Sequence, residues 1–413
     1  MTAFPEGFQW GLATAAHQVE GNNQANDYWL LENVEGTVFA EPSGSAIDHY
    51  SLFESDIALI AGLGFTTYRF SVEWSRIEPA PGDFSHEAVE HYRRVLEACH
   101  RHGLRPIVTY HHFSSPTWLI ARGGWENPET VDLFAAYAAF VTRELGHLMS
   151  AVCTMNEPNL ADLIHNLGIL ELSAHTRAGK PMFANAARRL GIDPEKFASF
   201  QFSAGDAAFA VKHAAHRAAV EAIHGILPDL PAGWTLANSA IQSLGGSEER
   251  AETIRINTNI RYLEASRGDD FVGIQTYGRS IVGPDGLVHA GDDVEKNQLG
   301  EEIYPFALEQ TIREAWSVAE TPVLVTENGL ATEDDFQRVR YVQTALEGVR
   351  NCLRDGIDVR GYIAWSAFDN FEWIFGYRPK FGFIGVDRET QRRLVKPSGQ
   401  WLGAHAASNG RML

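Results

Sequence analysis

Cysteine is scarce in this chain: Cys99, Cys153 and Cys352 are the three among 413 residues. An odd, widely spaced set with no CxxC excludes a disulfide framework and a zinc knuckle, and it fits a reducing compartment. Positive charge is also short. The 34 Lys and Arg residues stand against 53 Asp and Glu, a formal net charge of −19, and no basic stripe runs along the chain to follow a phosphate backbone. Nucleic acid is therefore not an expected partner, and the acidity reads as a solvated surface. No apolar run reaches the roughly eighteen residues that a membrane-spanning helix needs. The N-terminus enters a strand-like segment without a basic stretch and an apolar run before it, so no secretory signal is read and a cytoplasmic location is expected. HExxH is absent, as is an HxH on the first strand, and neither a metal nor a cofactor is expected.

What is present is a chain that is 45% hydrophobic and 21% charged, enough apolar material for a large core. Short apolar, β-branched or aromatic runs predict eight strands at 8–14, 66–74, 105–112, 151–157, 233–238, 270–277, 322–327 and 359–365. Apolar spacing of three to four predicts helices at 85–102, 128–148, 205–226, 300–318 and 334–355. Alternation of strand and helix is the signature of a parallel α/β sheet. Eight units without a Gly-rich phosphate turn after the first strand favour a single closed (β/α)8 TIM barrel over a doubly wound sheet. Residues 1–413 then form one catalytic domain, and the long segment 159–204, with Gly168, Gly179, Pro181 and Pro194, reads as an irregular insertion on the rim.

Polar residues gather where these strands end. Arg69 lies in the second strand, His111 and His112 end the third, Asn156 and Glu157 the fourth, Asn238 the fifth, Tyr277 the sixth, Glu327 the seventh and Trp365 the eighth. In a TIM barrel the strand C-termini form the active face, so residues scattered in sequence converge in space. The adjacent histidines invite a metal reading, but neighbouring strand residues point to opposite faces and do not share one ion.

Two of these residues suggest specific chemistry. Thr154-Met-Asn-Glu157-Pro158 and Val325-Thr-Glu327-Asn-Gly329 each end an apolar strand on a carboxylate. Cleaving a glycosidic bond takes two carboxyl groups, one to protonate the leaving oxygen and one to attack the anomeric carbon or activate water. A lone strand-end glutamate just bonds a neighbouring amide or arginine about as often as it does chemistry; the paired Asn-Glu-Pro and Glu-Asn-Gly contexts favour the chemistry.

With these motifs in order, and with Phe4-Pro-Glu-Gly-Phe-Gln-Trp-Gly11, Trp365-Ser-Ala-Phe-Asp-Asn-Phe-Glu-Trp373 and Phe381-Gly-Phe-Ile-Gly-Val-Asp387 beside them, the chain resembles glycoside hydrolase family 1, the β-glucosidase family, over almost its whole length. The resemblance implies a retaining exo-β-glycosidase in which Glu157 is the acid/base and Glu327 the nucleophile. Arg69 and Tyr277 are then the groups that keep Glu327 ionised, and Asn156 faces the sugar 2-hydroxyl. It further implies that Gln18 and His111 bind sugar hydroxyls, that Glu372 accepts from the 4- and 6-hydroxyls with Trp373 beside it, and that Trp365 is a platform under the ring. His112, Asn238 and Phe381 complete the expected substrate-facing set.

Glu372 favours a neutral sugar, because a carboxylate repels a phosphate; Lys380 keeps a 6-phospho-β-glycosidase reading open. A non-catalytic sugar-binding barrel is the other alternative, opposed by the presence of both carboxylates. Three positions depart from the common family pattern: His112 where Trp is frequent, Gln275 where Asn is frequent, and His17 where Tyr is frequent. They bear on the preferred glycone among glucose, galactose and fucose, with glucose expected first. The balance of hydrolysis and transglycosylation, and assembly into a homo-oligomer, stay open at this stage.

Overall fold

A computed structural model describes residues 4–412. Eight parallel strands close into a barrel in chain order: β1 (Gln9–Ala13), β2 (Thr67–Ser71), β3 (Arg105–His111), β4 (Ala151–Asn156), β5 (Ala232–Ala237), β6 (Val272–Gln275), β7 (Val323–Glu327) and β8 (Val359–Trp365), with β8 pairing back onto β1. The expected fold is the observed one. Ala13, Ile107, Cys153, Leu324 and Ile363 fill the barrel interior, while a larger apolar layer lies between the strands and the surrounding helices.

The outer helices follow their sequence signals. His86–Arg101 opens on Ser85, whose side chain accepts from the Ala88 amide at 3.2 Å, and it buries Val89, Tyr92, Leu96 and Cys99 on one face. Elsewhere the outcome differs from expectation. The second strand stops at Ser71 because the chain turns into the short helix Trp74–Ile77. The helix expected from 300 starts at Ala307, after Pro305, and the residues before it form an open loop bridged at Lys296 and Glu302. A helix not expected, His49–Gly62, joins β1 to β2; its buried face carries His49 and Asp56, which bond each other at 2.8 Å, so polar residues interrupt the apolar period. The charged run Glu248–Arg255 and its continuation to Ala265 were likewise not expected as helix.

Segment 159–204 is not irregular. It folds into the helices Leu160–Asn166, Ala174–Ala178 and Pro181–Leu190. Pro181 sits in the first turn, where its missing N–H costs nothing, and Gly191 ends the helix at φ 70°. Buried Arg177 ties the segment down, donating to Glu126 at 2.7 Å and to the carbonyls of Leu172 and Phe202. The segment follows β4 and thus builds onto the face where the polar residues gather.

Candidate active site

Two extra residues aim the two glutamates. Three steps along β4, from Cys153 to Asn156, match two along β5, from Gly233 to Thr235. On β7 the two steps from Val325 to Glu327 match one on β6, from Ile274 to Gln275. Each irregularity lies just before the polar end of its strand, as a β-bulge does when it re-aims a side chain. Glu157 follows with φ 49°, in the left-handed region that a non-glycine residue rarely adopts, and its amide is held by the Thr235 carbonyl at 2.7 Å.

Arg69, fully buried in β2, links both strand ends. Its Nη1 donates to Glu327 Oε1 at 2.6 Å and its Nη2 to Asn156 Oδ1 at 2.5 Å. Tyr277 donates its hydroxyl to the other oxygen of Glu327 at 2.7 Å, with its ring edge-on to Phe381 at 5.8 Å. Glu157 has a poorer set of partners: its Oε1 accepts from the Gln275 amide at 2.8 Å. Burial, then the negative charge of Glu327, push the Glu157 carboxyl up to about 8, against the pull of Gln275 and Arg69. Burial also raises Glu327, but the Arg69 charge and the two donated hydrogen bonds oppose it. Of two buried neighbours that share a proton, the one beside a guanidinium is the one that ionises.

The Glu-Asn-Gly run has a structural use besides its carboxylate. Asn328 donates to the Thr276 carbonyl and accepts from Tyr362, and its own carbonyl takes the Trp365 amide at 3.0 Å. A Cβ on Gly329 would lie 1.9 Å from the Trp365 carbonyl oxygen, so only glycine lets the β7 and β8 ends approach this closely.

The remaining expected residues divide. Gln18 spends its amide nitrogen on the Phe371 carbonyl and Asn370, leaving a buried Oε1 without a protein partner. Asn156 likewise leaves Nδ2, and Asn238 leaves both ends of its amide. The two histidines part company. His111 bonds Ser115 at 2.9 Å and is walled by Trp125 and Phe200, whereas His112 stacks between Trp365 and Trp373, at 5.8 and 6.1 Å. Burial drives His111 down to about 3 and His112 well below the ordinary histidine range, so both rings are neutral. Glu372 is partly exposed, near Gln18 at 3.5 Å, and burial together with Glu327 pushes it up to about 8. Lys380 gives its ammonium to the Tyr377 carbonyl at 2.8 Å. His17, noted only as a departure, stacks on Trp373 at 5.8 Å and is held by Glu32 at 2.7 Å. Gln275 was also noted only as a departure; that it reaches Glu157 could not be read without knowing where β6 ends. Among the described residues no group of three or more His, Cys, Asp or Glu side chains is arranged to hold a metal ion, and no helix is long and apolar enough to cross a membrane.

The family model described as glycosyl hydrolase family 1 matches residues 1–255 and 273–411. The chain belongs to glycosyl hydrolase family 1. It is 62% identical to the solved structure of β-glycosidase BGL167, with a TM-score of 0.97 over 98% of this chain and 97% of that one. Among curated proteins it is 30% identical to a β-glucosidase of an Agrobacterium species, over 98% of this chain and 95% of that protein. It is 29% identical to a bifunctional β-D-glucosidase/β-D-fucosidase of Bifidobacterium breve, over 96% and 97%. As a family 1 member the chain is a retaining glycoside hydrolase on a (β/α)8 barrel.

Proposed function

We propose that the protein is an exo-β-glycosidase whose first substrates are neutral β-glucosides, with Glu157 as acid/base and Glu327 as nucleophile. The observation that carries the assignment is the asymmetry of the two carboxyls: Glu327 is held by Arg69 and Tyr277, Glu157 only by a neutral amide. In the first step Glu327 attacks the anomeric carbon while the Glu157 proton passes to the glycosidic oxygen, which leaves as an alcohol; a glycosyl ester remains on Glu327. In the second step Glu157 takes a proton from water, the water oxygen attacks the same carbon, and the ester bond breaks. An alcohol or a second sugar in place of that water gives transglycosylation.

The glycone reading rests on unfilled hydrogen bonds. Buried polar atoms of Gln18, His112, Asn156 and Asn238 have no hydrogen-bond partner among the described residues, an arrangement that costs about 1–3 kcal/mol for each group until a polar ligand meets it. Trp365 stacks against His112, and Phe381 packs edge-on against Tyr277, to supply apolar surface. The phosphosugar alternative has little support, because Lys380 is committed to a backbone carbonyl and Glu372 brings no positive charge to meet a phosphate. The Bifidobacterium breve relative, named for both glucoside and fucoside, supports testing the β-fucoside next to the glucoside. Three buried, unpaired cysteines fit a cytoplasmic protein. Residues 1–413 are read as one catalytic unit, and no nucleic-acid partner is proposed.

The test is hydrolysis of 4-nitrophenyl β-D-glucoside by the native enzyme and by Glu327→Gly with added azide. Turnover by the first, silence of the second and its rescue as the α-glucosyl azide are expected. A native enzyme inactive on this substrate and on the galactoside, fucoside and 6-phosphoglucoside would leave the sugar-binding barrel as the better reading.

A further inference from the structure

Gln275 ends β6 with its side chain buried, 1% exposed, and its amide spans the gap between the two strands that carry the glutamates. At one end Nε2 donates to Glu157 Oε1 at 2.8 Å; at the other Oε1 accepts from the hydroxyl of Thr326, the residue before Glu327, at 3.2 Å. Among the described residues no other protein group makes a hydrogen bond to the Glu157 carboxyl. An ionised carboxylate only accepts, so the Glu157 end takes the amide nitrogen, and the Thr326 hydroxyl, which can donate, takes the amide oxygen.

We propose that Gln275 is a positioning residue for the acid step: by occupying Oε1 of Glu157 it leaves the transferable proton on Oε2 and holds that oxygen in register with the strand of the nucleophile. This rests on the assignment of Glu157 as acid/base. A proton on Oε1 would point at the Nε2 hydrogens, so the two carboxyl oxygens are no longer equivalent. The same bond stabilises the ionised carboxyl, and with Arg69 it counters the burial and the charges of Glu327 and Glu372 that raise it. Asparagine, one methylene shorter by ~1.5 Å, is too short to keep both contacts from the same backbone position.

The test compares two β-glucosides across pH 5–9. One is methyl β-D-glucoside, whose alkoxide cannot leave without a proton; the other is 2,4-dinitrophenyl β-D-glucoside, whose phenolate leaves unaided. For Gln275→Met, which keeps the bulk and removes both bonds, kcat/KM is expected to fall about ten- to a hundredfold on the methyl glucoside and less than about threefold on the dinitrophenyl glucoside. The basic limb of the methyl-glucoside profile moves up by roughly one pH unit, since a bond that favours the ionised form has gone. Thr326→Val frees the far end of the amide and is expected to move that limb the same way by less. Equal losses on both substrates with an unmoved limb in both variants would reduce Gln275 to a packing residue and overturn the proposal. A native enzyme inactive on both glucosides would instead overturn the underlying assignment of function, and that result is read before any variant is made.

Discussion

The ends of β4 and β7 are built from the same parts. Each carries a glutamate behind an extra residue in the strand, each glutamate is buried, and each is followed by a residue that fixes the backbone: Pro158 after Glu157, the Asn328-Gly329 pair after Glu327. They differ in the partners. Glu327 receives a full positive charge and a phenol, Glu157 a carboxamide. Burial alone would raise both carboxyls by similar amounts, so the partners decide which one keeps the proton. One fold element used twice yields an acid and a nucleophile because a single arginine, Arg69, leans to one side.

Glu157→Gln keeps the shape of the acid and removes its proton. It should lower kcat/KM on methyl β-D-glucoside by about 10³-fold, the range a general acid supplies, while kcat/KM on 2,4-dinitrophenyl β-D-glucoside, which reports the first step alone, stays close to native. Similar losses on both substrates would mean that the β4 end does not supply the proton. Arg69→Met attacks the comparison from the other side. Without the guanidinium the Glu327 carboxyl rises, so the acid limb of kcat/KM moves to higher pH by roughly one to three units, and activity near neutrality falls about 10²-fold or more. Because Arg69 and Glu327 are both buried, stripping one partner should also cost about 3–5 kcal/mol of stability, read as a lower midpoint in urea. An unmoved acid limb would show that Tyr277 alone keeps Glu327 ionised.

Much of this was legible before any coordinates. The strands announced themselves as short β-branched runs, and the residues that end them, Asn156, Glu157, Tyr277, Glu327 and Trp365, do meet at one mouth. What stayed hidden was what depends on neighbours distant in sequence. An extra residue in a strand carries no mark of its own, so the bulges ahead of Asn156 and Glu327 appear only against β5 and β6. The two histidines after Tyr110 look equivalent in sequence; Ser115 takes one and the indoles of Trp365 and Trp373 take the other. His49–Gly62 escaped notice because its buried face holds the hydrogen-bonded His49 and Asp56 where the period calls for apolar residues, and 159–204 seemed irregular because Pro181 starts a helix there instead of breaking one.

Tyr277→Phe sharpens the ranking of the two partners of Glu327. It removes one neutral donor and leaves the cation, so the acid limb should move up by less than in Arg69→Met, and kcat/KM should fall about ten- to a hundredfold, the worth of one hydrogen bond to a charged group. A larger shift than that of Arg69→Met would reverse the order of the two partners.

The last effect concerns stability alone, and it separates burial from partner charge at the β4 end. In the unfolded chain the Glu157 carboxyl titrates near its ordinary 4.5; in the fold it titrates at about 8. Below the lower value both states hold the proton and the group is neutral to stability. As pH rises from there the unfolded chain releases its proton first, which favours unfolding, and the penalty grows until the folded carboxyl also ionises near the upper value. Glu157→Gln cannot ionise in either state and escapes this penalty. The variant should therefore match the native melting temperature near pH 4.5 and exceed it by pH 8, by up to about 4 kcal/mol in stability or roughly 5 °C for a chain of this size. Calorimetric scans at the two pH values read the difference directly. A gain of the same size at both would mean that the carboxyl is unwelcome for its shape or packing and not for its charge, and the contrast between the two strand ends would then rest on Arg69 alone.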